Sequence, residues 1–216
     1  MVEPFPIPSN WKRIYGFDKG YNDETGLLCG AIDPKTSTIY VYDEYYVNEK
    51  PMSYHAMHIK PYIEGFDKYK PVQADPSIRN RNERDGESYQ SYFYRISGIW
   101  LEPANNAIDI GIEKVRDYMY LGKLKIFSSC DNLKGEAGKY VYMPLDSNHP
   151  DKPVDKFNHL MDCLRYMISP LPSNPNEFNT AYIPELADVS FKSVFNEETF
   201  EEENGVIIGV KLWKRN

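Results

Sequence analysis

The chain has 216 residues, 41% hydrophobic and 14% aromatic with 18 tyrosines, which suits one cored domain with an appendage and argues against disorder over most of its length. No apolar stretch approaches the ~18 residues of a membrane span, and the N-terminus, Met-Val-Glu-Pro-Phe-Pro-Ile-Pro, has no signal pattern, so an intracellular protein is expected. A formal net charge of −7 gives little pull on nucleic acid, and three isolated cysteines (Cys29, Cys130, Cys163) argue against a disulfide frame or a zinc site.

In chain order, residues 1–10 carry three prolines and read as a linker or arm. Residues 12–18, 26–32 and 38–47 read as strands rich in β-branched and aromatic residues. The turns between them hold Tyr21-Asn22-Asp23-Glu24 and Asp33-Pro34-Lys35-Thr36-Ser37. Their closeness predicts an antiparallel meander. A helix opened by Pro51 follows over 51–66. Then come a short strand at 71–75, a helix at 87–96 and a strand at 98–102. A helix over 109–121 has Ile112, Val115, Met119 and Tyr120 at helical spacing. A strand spans 124–127, a short helix and then a strand 133–142, and a last helix 155–168. This order predicts an α/β fold, a mixed central sheet of a three-strand antiparallel meander plus parallel strands, flanked by helices. The core domain is expected over 11–170. Beyond Ser169, prolines punctuate a loop-rich segment, one strand is expected within 205–213, and 171–216 reads as an acidic tail that packs on the core or docks partners. The run 197–203 reads as a solvated face or flexible tail.

Three acids carry the chemistry. Asp18 closes the run Arg13-Ile14-Tyr15-Gly16-Phe17-Asp18, and Asp75 closes Pro71-Val72-Gln73-Ala74-Asp75. Asp162 sits on the last helix, where Asp155, His159 and Asp162 share a stripe continued by Tyr166. Carboxylates from two strand ends and a helix can converge into oxygen ligands suited to Mg²⁺ or Mn²⁺. In two-metal phosphodiester cleavage, such carboxylates hold ions roughly 3.5–4 Å apart that clamp the attacking and leaving oxygens. The opposite stripe of that helix, Phe157, Leu160, Met161, Leu164 and Ile168, reads equally as a core face with the polar stripe in solvent. If Asp162 faces the site, something else must cover the apolar stripe, and the segment after 170 is a candidate.

Other residues have bland readings beside the sharp ones. Arg79, Arg81 and Arg84 either contact phosphates or lie on a solvated loop with Glu83, Asp85 and Glu87. Lys19 steadies a phosphate or points outward. Asp23 is an auxiliary ligand or a turn residue, and Asp155 a site residue or a helix cap. Lys114 reaches the DNA backbone, whereas Arg116, on the face of Ile112, lies flank-on to the core. His55 and His58 read as a surface pair, and Cys163 as a small buried hydrophobe. Part of the acidity lies in 196–203, and part in the proposed ligands, whose charge bound ions would offset.

Gly16-Phe17-Asp18-Lys19-Gly20 resembles the first-strand motif of the nuclease domain of large terminase subunits of tailed bacteriophages. Asn158-His159-Leu-Met-Asp162-Cys-Leu-Arg165-Tyr166 resembles that family's late His-x-x-Asp-x-x-Arg-Tyr segment. The strand ending Asp75-Pro76-Ser77 agrees, as do Ile112-Glu113-Lys114-Val115-Arg116 and the stretch from Leu121 to Cys130. The resemblance covers about residues 10–170. It implies a ribonuclease H-like fold and a metal-dependent endodeoxyribonuclease that cuts concatemeric viral double-stranded DNA. It also implies Asp18, Asp75 and Asp162 as ligands of one or two Mg²⁺ or Mn²⁺ ions. His159 would be an outer ligand or proton-transfer group. The implied partners are an ATPase domain, a small terminase subunit and a portal protein, and the implied place is the cytoplasm of the infected host. The chain has no Gly-x-x-x-x-Gly-Lys-Ser/Thr phosphate loop. It therefore reads as an excised nuclease domain, favoured by the Pro-rich start, or as a stand-alone relative. Two rival readings are a junction-resolvase-like nuclease on the same fold and a non-catalytic docking module for portal or capsid.

Overall fold

The computed structural model describes residues 1–20, 23–63, 71–82, 86–143, 153–154, 156–175, 200–203 and 206–210. The chain divides into two compact units, Met1–Thr180 and Ala181–Asn216. In the first, β1 (Lys12–Asp18), β2 (Thr25–Ile32) and β3 (Ile39–Val47) form the expected antiparallel meander. β4 (Val72–Ala74) pairs parallel with β1, β5 (Leu101–Pro103) with β4, and β6 (Leu124–Ile126) with β3. The sheet order is β5-β4-β1-β2-β3-β6. Among the described residues, five helices flank it: α1 (Met52–Ile63), α2 (Tyr89–Ser97), α3 (Ile108–Tyr120), α4 (Asp131–Ala137) and α5 (His159–Ile168). In the second unit, β7 (Phe200–Glu203) and β8 (Val206–Val210) pair antiparallel. Part of the acidic run, 200–203, is thus a strand.

The period of two along a strand decides which residues reach the site. Tyr15 and Phe17 of β1, Leu27 and Cys29 of β2, and Val72 and Ala74 of β4 pack in one cluster with Ala56, Ile59 and Ile63 of α1 and Phe93 of α2. The alternate residues turn to the other face, where α5 lies across β1, β2 and β4. Glycines let it lie close. A Cβ on Gly16 would stand 1.9 Å from the Cys163 carbonyl oxygen, and one on Gly30 2.8 Å from Met167 Sδ. The obstacle at Gly16 is backbone, so it cannot rotate away. Gly16→Ala is expected to destabilise the fold by about 3 kcal/mol or more. Urea denaturation checks this, and a loss under about 0.5 kcal/mol would show that α5 can lift without cost.

Four expectations change. The last helix starts at His159, because Phe157 adopts a φ of 56° just before it; Asp155 lies outside the described residues. α5 is buried along most of its length, with α3 and α4 packed against it, so these helices cover it rather than the segment after 170 alone. On α3 the inward residues are Val115 and Tyr118, while Met119 and Tyr120 are exposed. Residues 1–10 lie against the sheet: Val2 N donates to Ile126 O at 3.0 Å, and the Phe5 ring meets Phe127 at 5.0 Å and Tyr40 at 5.2 Å.

His55 is a core residue, not half of a surface pair. It is buried, with Nδ1 2.7 Å from the Tyr45 hydroxyl and Nε2 3.1 Å from Lys50 O, while His58 is exposed and stacks on Tyr54. Burial pushes the His55 pKa below its ordinary 6.5, and nearby His58 adds to this. The unfolded chain therefore takes up a proton near pH 6.5 before the fold does. The stability this residue contributes is present above pH 6.5 and lost as pH falls through the folded value. Denaturation at pH 7 and pH 5 is expected to show a smaller drop for His55→Gln than for the wild type; an equal drop would refute it.

Candidate active site

Asp18 ends β1 two residues after Gly16, on the same face, and so turns toward α5. His159, the first residue of α5, meets it: Nδ1 lies 2.8 Å from Asp18 Oδ2. Asp75 follows β4, again on the α5 face. Its Oδ1 accepts from Ser77 N at 2.7 Å, capping a 3-10 turn over Pro76–Arg79, and its Oδ2 accepts from the Tyr166 hydroxyl at 2.9 Å. Asp162, one turn into α5, accepts at Oδ1 from Arg165 Nε at 3.2 Å and Nη2 at 3.0 Å, and at Oδ2 from Asn158 Nδ2 at 3.3 Å. Arg165 Nη1 donates onward to Asn106 Oδ1 at 3.1 Å. The four predicted residues thus stand together at one end of the sheet, each carboxylate turned to its own protein partner.

Charge coupling and burial act on Asp18 and Asp162. Burial pushes the Asp18 carboxyl up to about 6; the His159 hydrogen bond opposes this, and the Asp162 and Asp75 charges add to it. Burial also raises Asp162, opposed by Arg165 and reinforced by Asp75. His159 is raised, chiefly by its hydrogen bond to Asp18, so its charged form is favoured. Among the described residues, no three His, Cys, Asp or Glu side chains stand preassembled around a metal position. The donor chemistry nevertheless fits a hard divalent ion. Three carboxylates supply only oxygen ligands, and their mutual repulsion in a buried place calls for positive charge.

Several neighbours were not foreseen. Glu24 Oε2 lies 3.7 Å from His159 Nε2, while Asp23 beside it is exposed. The signal for Glu24 was its place in the loop after Asp18, which also drew attention to Asp23. Tyr166 and Arg165 act as hydrogen-bond donors to Asp75 and Asp162, a role not read from the motif's final Arg-Tyr. Of the DNA-contact candidates, Lys19 Nζ lies 5.5 Å from the Tyr89 ring centre, Arg79 pairs with Glu102 at 3.7 Å and is largely exposed, and Arg81 is exposed. Arg84 lies outside the described residues. Lys114 is corrected: its ammonium donates to Ser169 O at 2.8 Å and to Leu171 O, so it anchors the chain after α5 rather than reaching outward.

This architecture is the fold seen in solved nuclease domains of large terminase subunits. No family model matches the chain. The chain is 27% identical over 162 residues to the terminase large subunit of Escherichia phage T5, covering 73% of this chain and 35% of that protein. It thus spans about a third of the curated relative's length. The P22 large terminase nuclease domain superposes with a TM-score of 0.63 at 19% identity, over 78% of this chain and 85% of that one. The large terminase nuclease domain of bacteriophage SPP1 with bound Mn superposes with a TM-score of 0.52 at 18% identity, over 72% and 84%. Among the described residues, no helix is long and apolar enough to cross a membrane.

Proposed function

We propose that this chain is the metal-dependent endonuclease domain of a viral DNA-packaging terminase, cutting concatemeric double-stranded DNA with little sequence preference. The observation that carries the reading is the group of three partly buried carboxylates at the end of a ribonuclease H-like sheet. Asp18, Asp75 and Asp162 hold one or two Mg²⁺ or Mn²⁺ ions, as the manganese of the SPP1 relative suggests. The ions supply Lewis-acid polarisation of the phosphodiester and offset the charge of its oxygens, as in two-metal hydrolysis. The chain's own residues orient and protonate. Arg165 and Asn158 fix Asp162, and Tyr166 fixes Asp75. His159, favoured in its charged form by Asp18, holds a proton on Nε2 toward Glu24. Lys19, Arg79 and Arg81 contact phosphates, which accounts for a weak sequence preference. An ATPase domain, a small terminase subunit and a portal protein are the partners this reading calls for, in the cytoplasm of an infected bacterium.

Supercoiled-plasmid cleavage with Mn²⁺, Mg²⁺, Ca²⁺ or EDTA tests the reading. Nicking and linearisation with Mn²⁺ or Mg²⁺, lost in Asp75→Asn and Asp162→Asn, is expected. No cleavage with any ion, or full cleavage by folded variants, removes it.

A further inference from the structure

We infer that Glu136 of α4 is the positioning residue of this site: its carboxylate caps α5 from outside the helix and thereby sets where His159 and Asp162 stand. The inference rests on the nuclease reading above. Asn158 is the N-cap of α5, yet its side chain makes no capping bond and donates to Asp162 instead. Glu136 Oε2 takes that place, accepting from Leu160 N at 2.7 Å and Met161 N at 3.2 Å. These are the second and third amides of the helix, the ones a local cap would satisfy. Glu136 Oε1 accepts from the Tyr46 hydroxyl of β3 at 2.8 Å.

Glu136 is 3% exposed. Carboxylates are rarely that buried unless paired, and this one is held by three donors and by the positive end of the α5 dipole. Its own helix is anchored in the same manner. Glu44 of β3 accepts at Oε1 from Asn132 N at 2.7 Å and at Oε2 from Leu133 N at 2.9 Å, the first turn of α4. The amino ends of α4 and α5 are thus tied in sequence to the meander: Glu44 holds α4, and Glu136 on α4 holds α5. His159 precedes the two captured amides and Asp162 follows them, so the two site residues of α5 bracket the tie. A cap supplied from outside also leaves the Asn158 amide to Asp162.

The test uses the full chain as wild type, Glu136→Ala and Glu136→Gln. Amide hydrogen exchange, His159 ring resonances and Mn²⁺-dependent nicking are read well below each melting temperature. In Glu136→Ala, exchange at Leu160 and Met161 is expected to quicken roughly tenfold relative to Met167. The His159 ring resonances are expected to move, and cleavage at saturating Mn²⁺ to fall roughly tenfold or more. Glu136→Gln keeps an acceptor oxygen and is expected to restore most of all three. Unchanged exchange, unmoved His159 resonances, or full cleavage by Glu136→Ala with a loosened first turn overturns the inference. If the wild type cuts no DNA, the nuclease reading fails, while exchange and the His159 resonances still judge the positioning.

Discussion

Asp18→Asn is expected to cut divalent-dependent DNA cleavage roughly a hundredfold or more, while stabilising the metal-free protein by about 2 kcal/mol at pH 8. Asp18 is 13% exposed and its carboxyl is pushed up to about 6 from an ordinary 3.8. A carboxyl raised by folding contributes stability that is complete below the unfolded value and lost as pH rises through the folded one. The wild type therefore gives up stability between about pH 4 and pH 6 that the asparagine keeps. The His159 hydrogen bond survives, since the asparagine oxygen still accepts. Adding Mn²⁺ reverses the ranking, because the ion stabilises only the protein that binds it. Thermal melts in EDTA and in Mn²⁺ check both halves; a destabilised variant in EDTA would show that the charge is compensated by the protein itself. A site that weakens its own fold to hold charge is what function, rather than stability, selects.

Arg165→Met carries the second large effect. Arg165 is 3% exposed and bonds both Asp162 and Asn106, and its side chain also fills the space left by Gly111 on α3. Removing it leaves the partly buried Asp162 carboxylate to Asn158 and without its charged partner, at an expected cost of about 3 kcal/mol. Asp162→Asn in the same background relieves part of that cost, since no charge is then left unpaired. In urea denaturation the double variant is expected to be more stable than Arg165→Met alone. A double variant as unstable as the sum of its parts would mean that packing against α3, not charge, holds Arg165 in place.

Much of this site was legible from the chain. The strands announce themselves through β-branched and aromatic runs, and Asp18 and Asp75 close two of them. The stripe shared by His159 and Asp162 pointed to one face of the last helix, and the structure sets His159 against Asp18. What resisted reading has physical causes. Two opposite stripes identify the inward face of a helix only when the other face meets water, and α5 has the sheet on one side and α3 and α4 on the other. His55 and Lys114 looked like surface groups because sequence shows a side chain's charge but not the distant carbonyls that claim it, Lys50 O for one and Ser169 O for the other. Glu136 left no trace, since it caps a helix that starts more than twenty residues later. Lys114, Glu44 and Glu136 all spend their charge on backbone groups, a role no local motif encodes.

The most direct measurement is anomalous diffraction from crystals soaked in Mn²⁺. A manganese peak within about 2.0–2.6 Å of carboxylate oxygens of Asp18, Asp75 and Asp162 is the expected result. Its appearance would entail the Asp162 or Asp75 side chain turning from its present partner toward the ion. Peaks confined to surface acids, with the hydrogen bonds of Asp18 to His159 and Asp75 to Tyr166 undisturbed, would contradict a shared metal site at the end of the sheet.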